Sequence, residues 1–162
     1  MLKQLIFAVS LLSVSWAGSF AFAAQERETF EVSVTIPNHE FYVLPTDPGW
    51  MGREQKLTWD LVASELRPLR KHFDVKNANG GISARLEAEP YIYNGRDRID
   101  LNVMFNNMKL TLVNAPVVSA TDAKSGRKVM LEIAALIPTG GYLPGSYYGT
   151  VHMMFEAQNP EG

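Results

Sequence analysis

Short segments in which apolar and polar residues alternate fill most of this chain, and they constrain its fold more than any other feature. The clearest is residues 82–88, where every second side chain is apolar. In an extended strand, successive side chains point to opposite faces, so such a segment has one apolar face and one polar face. The turn-forming residues 77–81 come directly before it. Alternation bounded by turn residues predicts antiparallel β-sheet.

The same pattern predicts strands along nearly the whole chain. They cover residues 30–36, 39–44, 57–62, 71–75, 82–88, 99–105, 108–113, 117–118, 128–136 and 146–157. Only residues 60–70 favour a helix, and Pro68 argues against a long one because proline removes a backbone donor. Regular short strands with turns between them predict an all-β fold, an immunoglobulin-like antiparallel β-sandwich.

The first residues have the composition of an export signal. Lys3 gives a basic start, an apolar run follows to residue 17, and Ala21 and Ala23 supply small residues around a cleavage point. A membrane anchor is the alternative, but a spanning helix needs about 20 predominantly apolar residues, and serines interrupt this shorter run. We predict a signal peptide at residues 1–23, with cleavage after Ala23 or Ala24.

Composition and motifs argue against several classes of function. The chain has 15 Lys and Arg against 17 Asp and Glu, so it lacks the basic surface that would hold nucleic acid. It contains no cysteine, and His39, His72 and His152 fall in three different predicted strands. No phosphate-binding loop or nucleophile elbow is present. We therefore expect no catalytic residue, no metal and no cofactor.

The aromatic residues leave one alternative open. Seven of them are candidates to line a sugar-binding site: Trp50, Trp59, Tyr91, Tyr93, Tyr142, Tyr147 and Tyr148. Such residues more often fill the core of a sandwich or cover a sheet face.

The segment after the predicted signal peptide carries most of the functional information. Four apolar residues alternate with polar ones and a proline ends the segment: Phe30, Val32, Val34, Ile36 and Pro37. A strand at the start of a mature chain is a detachable element. It can pair in its own sheet or in the sheet of a neighbouring molecule, and the pattern alone leaves both possibilities open.

With these features the chain resembles the major pilin subunits of the alternate chaperone–usher pathway, which form the colonisation-factor or alpha-type fimbriae, including cable-type pili. The most specific features are the N-terminal strand with Pro37 and the opening of the last predicted strand, Gly145-x-Tyr147-x-Gly149. A mature length of roughly 140 residues and the absence of cysteine agree with that family. The resemblance covers essentially all of the mature chain.

The resemblance implies an incomplete immunoglobulin-like domain at residues 38–162, with a hydrophobic groove in place of one strand. Residues 24–37 would be a donor strand that enters the groove of the next subunit through Phe30, Val32, Val34 and Ile36, and Pro37 would end it. A periplasmic chaperone would fill the groove until exchange at an outer-membrane usher. The last strand would form one wall of the groove, from its start to its core-facing residues: Gly145, Tyr147, Gly149, Val151, Met153 and Phe155.

The implied function is that of a structural subunit of an adhesive surface fimbria, a homopolymer that contacts a host or surface receptor through the fibre. The alternative is a monomeric periplasmic or cell-surface binding module. In that case the sandwich is complete and the N-terminal strand pairs within its own domain. An assembly chaperone is less favoured, because that class has two immunoglobulin-like domains and this chain is long enough for one.

Overall fold

Antiparallel β-strands account for nearly all of the regular structure. A computed structural model describes residues 40–159, so the predicted signal peptide, the predicted donor strand and His39 lie outside the described residues. The elements in chain order are β1 (Phe41–Pro45), a 3-10 turn (Pro48–Trp50), β2 (Trp59–Asp60), β3 (Glu65–Leu66), β4 (Leu69–Asn77), β5 (Ile82–Leu86), β6 (Tyr91–Tyr93), β7 (Arg98–Phe105), β8 (Met108–Lys109), β9 (Ala115–Val118), α1 (Ala120–Ser125), β10 (Arg127–Ala135) and β11 (Met153–Ala157).

Apart from β2 and β3, which pair only with each other, the strands form two sheets in immunoglobulin order, which confirms the predicted fold class. The larger sheet has the order β1-β4-β10-β7-β6, with β8 paired to β7, and the smaller sheet has the order β11-β5-β9. In immunoglobulin notation β1, β4, β10 and β7 are strands A, B, E and D, while β5 and β11 are strands C and F. No strand among residues 40–159 takes the place of strand G beside β11.

The core lies between the two sheets and follows the alternation of the sequence. On β4, Phe73 and Val75 are buried, while Asp74 between them and the flanking His72 and Lys76 are more exposed. The ring of Phe105 from β7 lies 5.6 Å from the ring of Phe73 and 4.8 Å from that of Phe155 on β11. This aromatic chain ties the larger sheet to the smaller one.

Residues 60–70, the one stretch whose sequence left room for a helix, are not helical. That stretch forms the β2–β3 hairpin, whose turn is held by the Asp60 carboxylate. Asp60 Oδ1 accepts from the N–H groups of Val62 (2.9 Å) and Ala63 (3.1 Å), and Oδ2 accepts from Arg67 Nη2 (2.8 Å). The Ala63 N–H, the Arg67 guanidinium and the Val62 N–H lower the pKa of this carboxyl group.

The one α-helix among the described residues lies elsewhere, at α1. Ser119 caps its start, because the Ser119 hydroxyl accepts from the N–H of Asp122 (3.2 Å). Gly126 follows the helix with a φ of 78°, a conformation that favours glycine. No helix among residues 40–159 is long and apolar enough to cross a membrane.

Candidate functional site: the open edge of the smaller sheet

The outer edge of β11 is the main position in the sandwich that no described strand fills. β11 pairs with β5 from Met153 opposite Leu86 to Ala157 opposite Ile82. On its other side, no strand of the described part of the chain pairs with it. An edge strand of this kind offers a row of backbone groups to any strand that can add to the sheet.

The hydrogen bonds at the two ends of β11 show which residues offer those groups. The N–H of Glu87 donates to the carbonyl of His152 (3.1 Å), and the N–H of Gln158 donates to the carbonyl of Gly81 (2.9 Å). The N–H and carbonyl groups of successive residues in an antiparallel strand point to alternate sides, so those of residues 152, 154, 156 and 158 point toward β5. Residues 153, 155 and 157 therefore direct their N–H and carbonyl groups toward the open edge.

The side chains of this segment leave the core partly uncovered. Val151, Met153 and Phe155 pack against the core cluster but are only partly buried. Their neighbours on β5 are fully enclosed, with Ala84 exposed by 0% and Leu86 by 3%. Within residues 40–159 no strand covers the strip of core beside β11, and an added apolar strand would supply a cover.

Two apolar residues of β1, the edge strand of the larger sheet, show the same incomplete burial. Phe41 and Val43 pack against the core cluster and are also only partly buried. In an immunoglobulin sandwich, strand G beside F lies across from strand A, which is β1 here. The incompletely buried apolar residues of β1 and β11 therefore border the same strand position, which no strand of residues 40–159 occupies.

The far end of β11 is held in place by a buried polar contact that the sequence pattern did not reveal. Asn77 Nδ2 donates to the carbonyls of Gly81 (2.7 Å) and Gln158 (3.2 Å), and Asn77 is only 2% exposed. A Cβ atom on Gly80 would collide with the carbonyl of Gln158. Residues 77–81, predicted only as a turn, thus fix the position of the chain where β11 ends.

The structure separates the predicted groove residues into two groups. Val151, Met153 and Phe155 line the open edge. Gly145, Tyr147 and Gly149 instead lie in the segment around Tyr148. The predicted strand over residues 146–157 is therefore wrong in its first half, because regular structure begins at Met153.

The segment around Tyr148 belongs to the other sheet. Tyr148 and Tyr93 of β6 exchange two backbone hydrogen bonds, of 2.9 and 3.1 Å. The chain therefore leaves the edge of the larger sheet after Tyr148 and enters the smaller sheet at Met153. Apolar and polar residues keep alternating across this crossing, which is why the pattern could not reveal it.

Replacing Gly149 by alanine is expected to destabilise this crossing. A Cβ atom there would collide with the carbonyl oxygen of Tyr91 and lie 3.0 Å from the Ile92 side chain. Because a backbone atom must move, we expect a loss of about 1–3 kcal/mol in the free energy of unfolding, measured by urea denaturation. Gly52→Ala is the matched control, because nothing lies within 4 Å of its added Cβ. Equal stability of the two variants would contradict the close approach.

The seven aromatic candidates for a sugar site lie in three separate places. Trp50 packs edge-on against Phe73 with 5.8 Å between ring centroids. Trp59, Tyr142 and Tyr147 border a cavity of about 510 Å³. The remaining three, Tyr91, Tyr93 and Tyr148, lie at the β6 edge of the larger sheet. They do not form one site.

Both tyrosine hydroxyls at the cavity have hydrogen-bond partners within the chain. Tyr147 donates to the carbonyl of Leu143 (3.0 Å), and Tyr142 donates to the carbonyl of Ala135 (3.4 Å). Burial raises the pKa of the Tyr142 phenol, and the Glu65 carboxylate adds to that effect. Both hydroxyl protons are therefore already used in bonds to the backbone.

Ionisable groups do not assemble a metal centre in the described part of the chain. His72 is exposed on β4 and His152 is exposed just before β11. Across residues 40–159, no three side chains of His, Cys, Asp or Glu are placed to hold a metal ion. The open edge of β11 is thus the feature with the clearest chemical consequence.

Comparison with known proteins agrees with this geometry. The sequence profile of the CS1 type fimbrial major subunit matches residues 26–156. The solved structure of the CooA pilin subunit from enterotoxigenic Escherichia coli is similar, with a TM-score of 0.61 and 17% identity over 75% of this chain and 90% of that chain. At that identity the likeness establishes the fold alone. Among curated proteins, none matches this sequence.

Proposed function

Because this chain belongs to the family of CS1 type fimbrial major subunits, we propose that it polymerises head to tail by donor-strand exchange. It is a structural fimbrial subunit, a major pilin of the alternate chaperone–usher type. In the proposed exchange, residues 24–37 of one copy add to β11 of the next. The observation that carries the proposal is the uncovered strip of core beside β11, with Val151, Met153 and Phe155 only partly buried.

The N-terminal segment has the chemistry that this edge requires. Its side chains at positions 30, 32, 34 and 36 are apolar and share one face of an extended strand. Burying four such side chains is worth about 6–12 kcal/mol before costs, at roughly 1.5–3 kcal/mol each. Domains are typically stable by only about 5–15 kcal/mol. The free energy gained by burying a donor strand is therefore large enough to decide whether the subunit is stably folded.

A groove and a donor strand on different surfaces of one molecule also explain how copies join into a fibre. Such a contact is heterologous, and it propagates from copy to copy without closing unless symmetry forces a ring. Pro37 would end the donor strand between the groove of one copy and the domain of the other. The result is a linear homopolymer in which every internal copy both donates and accepts a strand.

Export, protection by a chaperone and assembly involve different segments of the chain. Residues 1–23 act as a cleaved signal peptide, residues 24–37 as the donor strand and residues 38–162 as the pilin domain. A periplasmic chaperone covers the open edge of β11 in transit, because an exposed edge over an open core favours aggregation. An outer-membrane usher then directs the exchange that builds the surface fimbria. The subunit is structural and has no catalytic role.

Electron microscopy of cells that express this chain with its neighbouring assembly proteins tests the proposal. A photo-crosslinking residue at Val32 is expected to join two copies of the chain, at or near β11 of the acceptor. Ser33 is the matched control, because its side chain lies on the opposite face of the predicted strand and should crosslink much less. Absence of fibres, or a crosslink from position 32 within its own copy, would favour the monomeric binding module instead.

A further inference from the structure

Only two polar residues are buried among residues 40–159: Asn77, which is 2% exposed, and Ser83, which is 1% exposed. Both donate hydrogen bonds to backbone carbonyls at the end of β11. Asn77 Nδ2 lies 3.2 Å from the carbonyl oxygen of Gln158, and Ser83 Oγ lies 3.5 Å from that of Glu156. Because burying a polar side chain costs free energy that an apolar one would not, both residues indicate a requirement in the placement of β11.

Asn77 differs from Ser83 because its bond to Gln158 crosses the sandwich. Asn77 is the last residue of β4 in the larger sheet, whereas Gln158 directly follows β11 in the smaller sheet. Ser83 lies on β5, next to β11 in the same sheet. The Asn77 side chain therefore sets a distance between the two sheets, at the end of the sandwich where β11 stops.

The backbone around Asn77 holds β1, the strand on the other side of the groove. Phe41, the first residue of β1, pairs with Asn77, and the N–H of Ala78 donates to the carbonyl of Glu40 (2.7 Å). We call β1 and β11 the two walls of the groove, because their partly buried apolar residues border the strand position that no described strand fills. Asn77 thus holds one wall through its backbone and the other through its side chain.

The Asn77 side chain has little freedom to adjust. Its Nδ2 also donates to the carbonyl of Gly81 (2.7 Å), and its Oδ1 accepts from the N–H of Asn79 (3.1 Å). A Cβ atom on Gly80 would collide with the carbonyl of Gln158, so the turn is already in close contact with the end of β11. Hydrogen bonds are directional and vary little in length, so these contacts fix the spacing more closely than an apolar contact would.

A groove between apolar walls needs such a constraint. Phe41 and Val43 on one wall and Val151, Met153 and Phe155 on the other are only partly buried. Apolar attraction is non-directional, so it favours closure of the gap between the walls as well as its filling by a strand. Neighbouring strands lie about 4.8 Å apart, so an added strand fits beside β11 only while the gap keeps its width.

We propose that Asn77 is a positioning residue for strand exchange, which keeps the two walls of the groove at the spacing that an added strand requires. This role rests on the donor-strand exchange proposed above. Asn77 acts through the backbone at Gln158 and not through the donor strand itself. Loss of its amide should therefore weaken the binding of a donor strand by more than the accompanying loss of stability explains.

Asn106 supplies a matched control. Its Nδ2 donates to the carbonyl of Val117 (2.6 Å), which joins the β7–β8 turn of the larger sheet to β9 of the smaller sheet. β9 lies at the opposite edge of the smaller sheet from β11. Asn106→Ala therefore removes the same kind of bond between the sheets, away from the groove. Because Asn106 has a φ of 51°, which alanine adopts less readily, this variant should lose at least as much stability as Asn77→Ala.

Binding of a fluorescent peptide of residues 28–37 to the mature chain, at concentrations where the chain is monomeric, tests this role. We expect Asn77→Ala to bind about tenfold more weakly, the equivalent of one buried hydrogen bond, and Asn106→Ala to bind like the unmodified chain. Equal affinity in the two variants would overturn the role of Asn77 and leave donor-strand exchange standing. A peptide that did not bind the unmodified chain would refute the exchange itself, and this role with it.

Spin labels on the two walls give a readout that lost stability alone does not move. The chain contains no cysteine, so labels attach only at Leu44→Cys on β1 and Met154→Cys on β11, positions exposed by 42% and 36%. With labelled copies diluted in unlabelled chain, we expect a narrow distance distribution in the unmodified chain and in Asn106→Ala. Asn77→Ala should give a broader distribution that the peptide narrows.

An unchanged distance distribution in Asn77→Ala would overturn the proposed role. Should Asn77→Ala fail to fold, Asn77→Leu decides in the same way, because it keeps a side chain of similar length but has no hydrogen-bond donor. A broadened distribution and weaker peptide binding in Asn77→Leu support the role, and an unmodified spacing with unmodified binding refutes it.

Discussion

A peptide of residues 28–37 is expected to raise the melting temperature of the chain that lacks residues 24–37 by about 10 °C. The peptide would add to β11 and cover the strip of core at Val151, Met153 and Phe155. A ligand at 100 times its dissociation constant stabilises the folded state by about 2.7 kcal/mol. For a domain of this size each kcal/mol corresponds to roughly 3–5 °C, and calorimetry measures the shift directly.

The control is a peptide in which Val32 and Val34 are replaced by serine. It keeps the length and the backbone hydrogen bonds but loses half of the apolar contacts. We expect it to stabilise the truncated chain far less. A truncated chain that melts at the same temperature with either peptide, or with none, would point to a sandwich that is complete by itself.

Replacing Phe155 by alanine is expected to have the second large effect. Its ring lies 4.8 Å from that of Phe105, so the truncation removes an aromatic contact between the two sheets. Phenylalanine-to-alanine changes in full cores cost about 3–5 kcal/mol. Phe155 is only partly buried, so we expect about 2–3 kcal/mol in the free energy of unfolding. The affinity for the donor peptide should also fall by at least about tenfold, since 1.4 kcal/mol of lost contact suffices.

Met154 provides a matched control on the same strand. Its side chain points away from the core and is 36% exposed, and its sulfur lies 3.1 Å from Arg85 Nη2. Exposed substitutions of this kind usually change stability by less than about 0.5 kcal/mol. Met154→Ala should therefore leave both urea denaturation and peptide binding nearly unchanged. Equal losses in both variants would mean that β11 does not present one face to the groove.

Strong local alternation allowed the central strands to be predicted closely. The predicted strands at residues 71–75, 82–88, 99–105 and 128–136 correspond to β4, β5, β7 and β10. Each has one face in the core, and a period of two in the sequence is the direct consequence of that burial.

Peripheral strands were predicted less well, because local pattern does not report whether a partner is present. Of residues 57–62 only Trp59–Asp60 is a strand, and of residues 108–113 only Met108–Lys109. Beyond β8 the chain changes its partner strand. The N–H of Leu110 still donates to the carbonyl of Val103 on β7, whereas the carbonyl of Thr111 accepts from the N–H of Leu86 on β5. β6 was missed because three residues carry too little periodicity.

The candidate site shows the same division. The apolar positions Val151, Met153 and Phe155 alternate in the sequence, and all three pack against the core cluster. Gly145, Tyr147 and Gly149 are set apart from them, because the chain changes sheets between Tyr148 and Met153. The contribution of Asn77 and Gly80 to holding the end of β11 depends on residues about 80 positions away in the sequence.

Side-chain alternation is a local property of each segment, so the order of amino acids alone establishes that this protein is built from strands with one buried face. The position of β11 at an edge, the strand beside it and the part of the core that residues 40–159 leave uncovered emerge only from the folded chain. Those features depend on hydrogen bonds and contacts between residues far apart in the chain, and no short pattern can encode the absence of a neighbour.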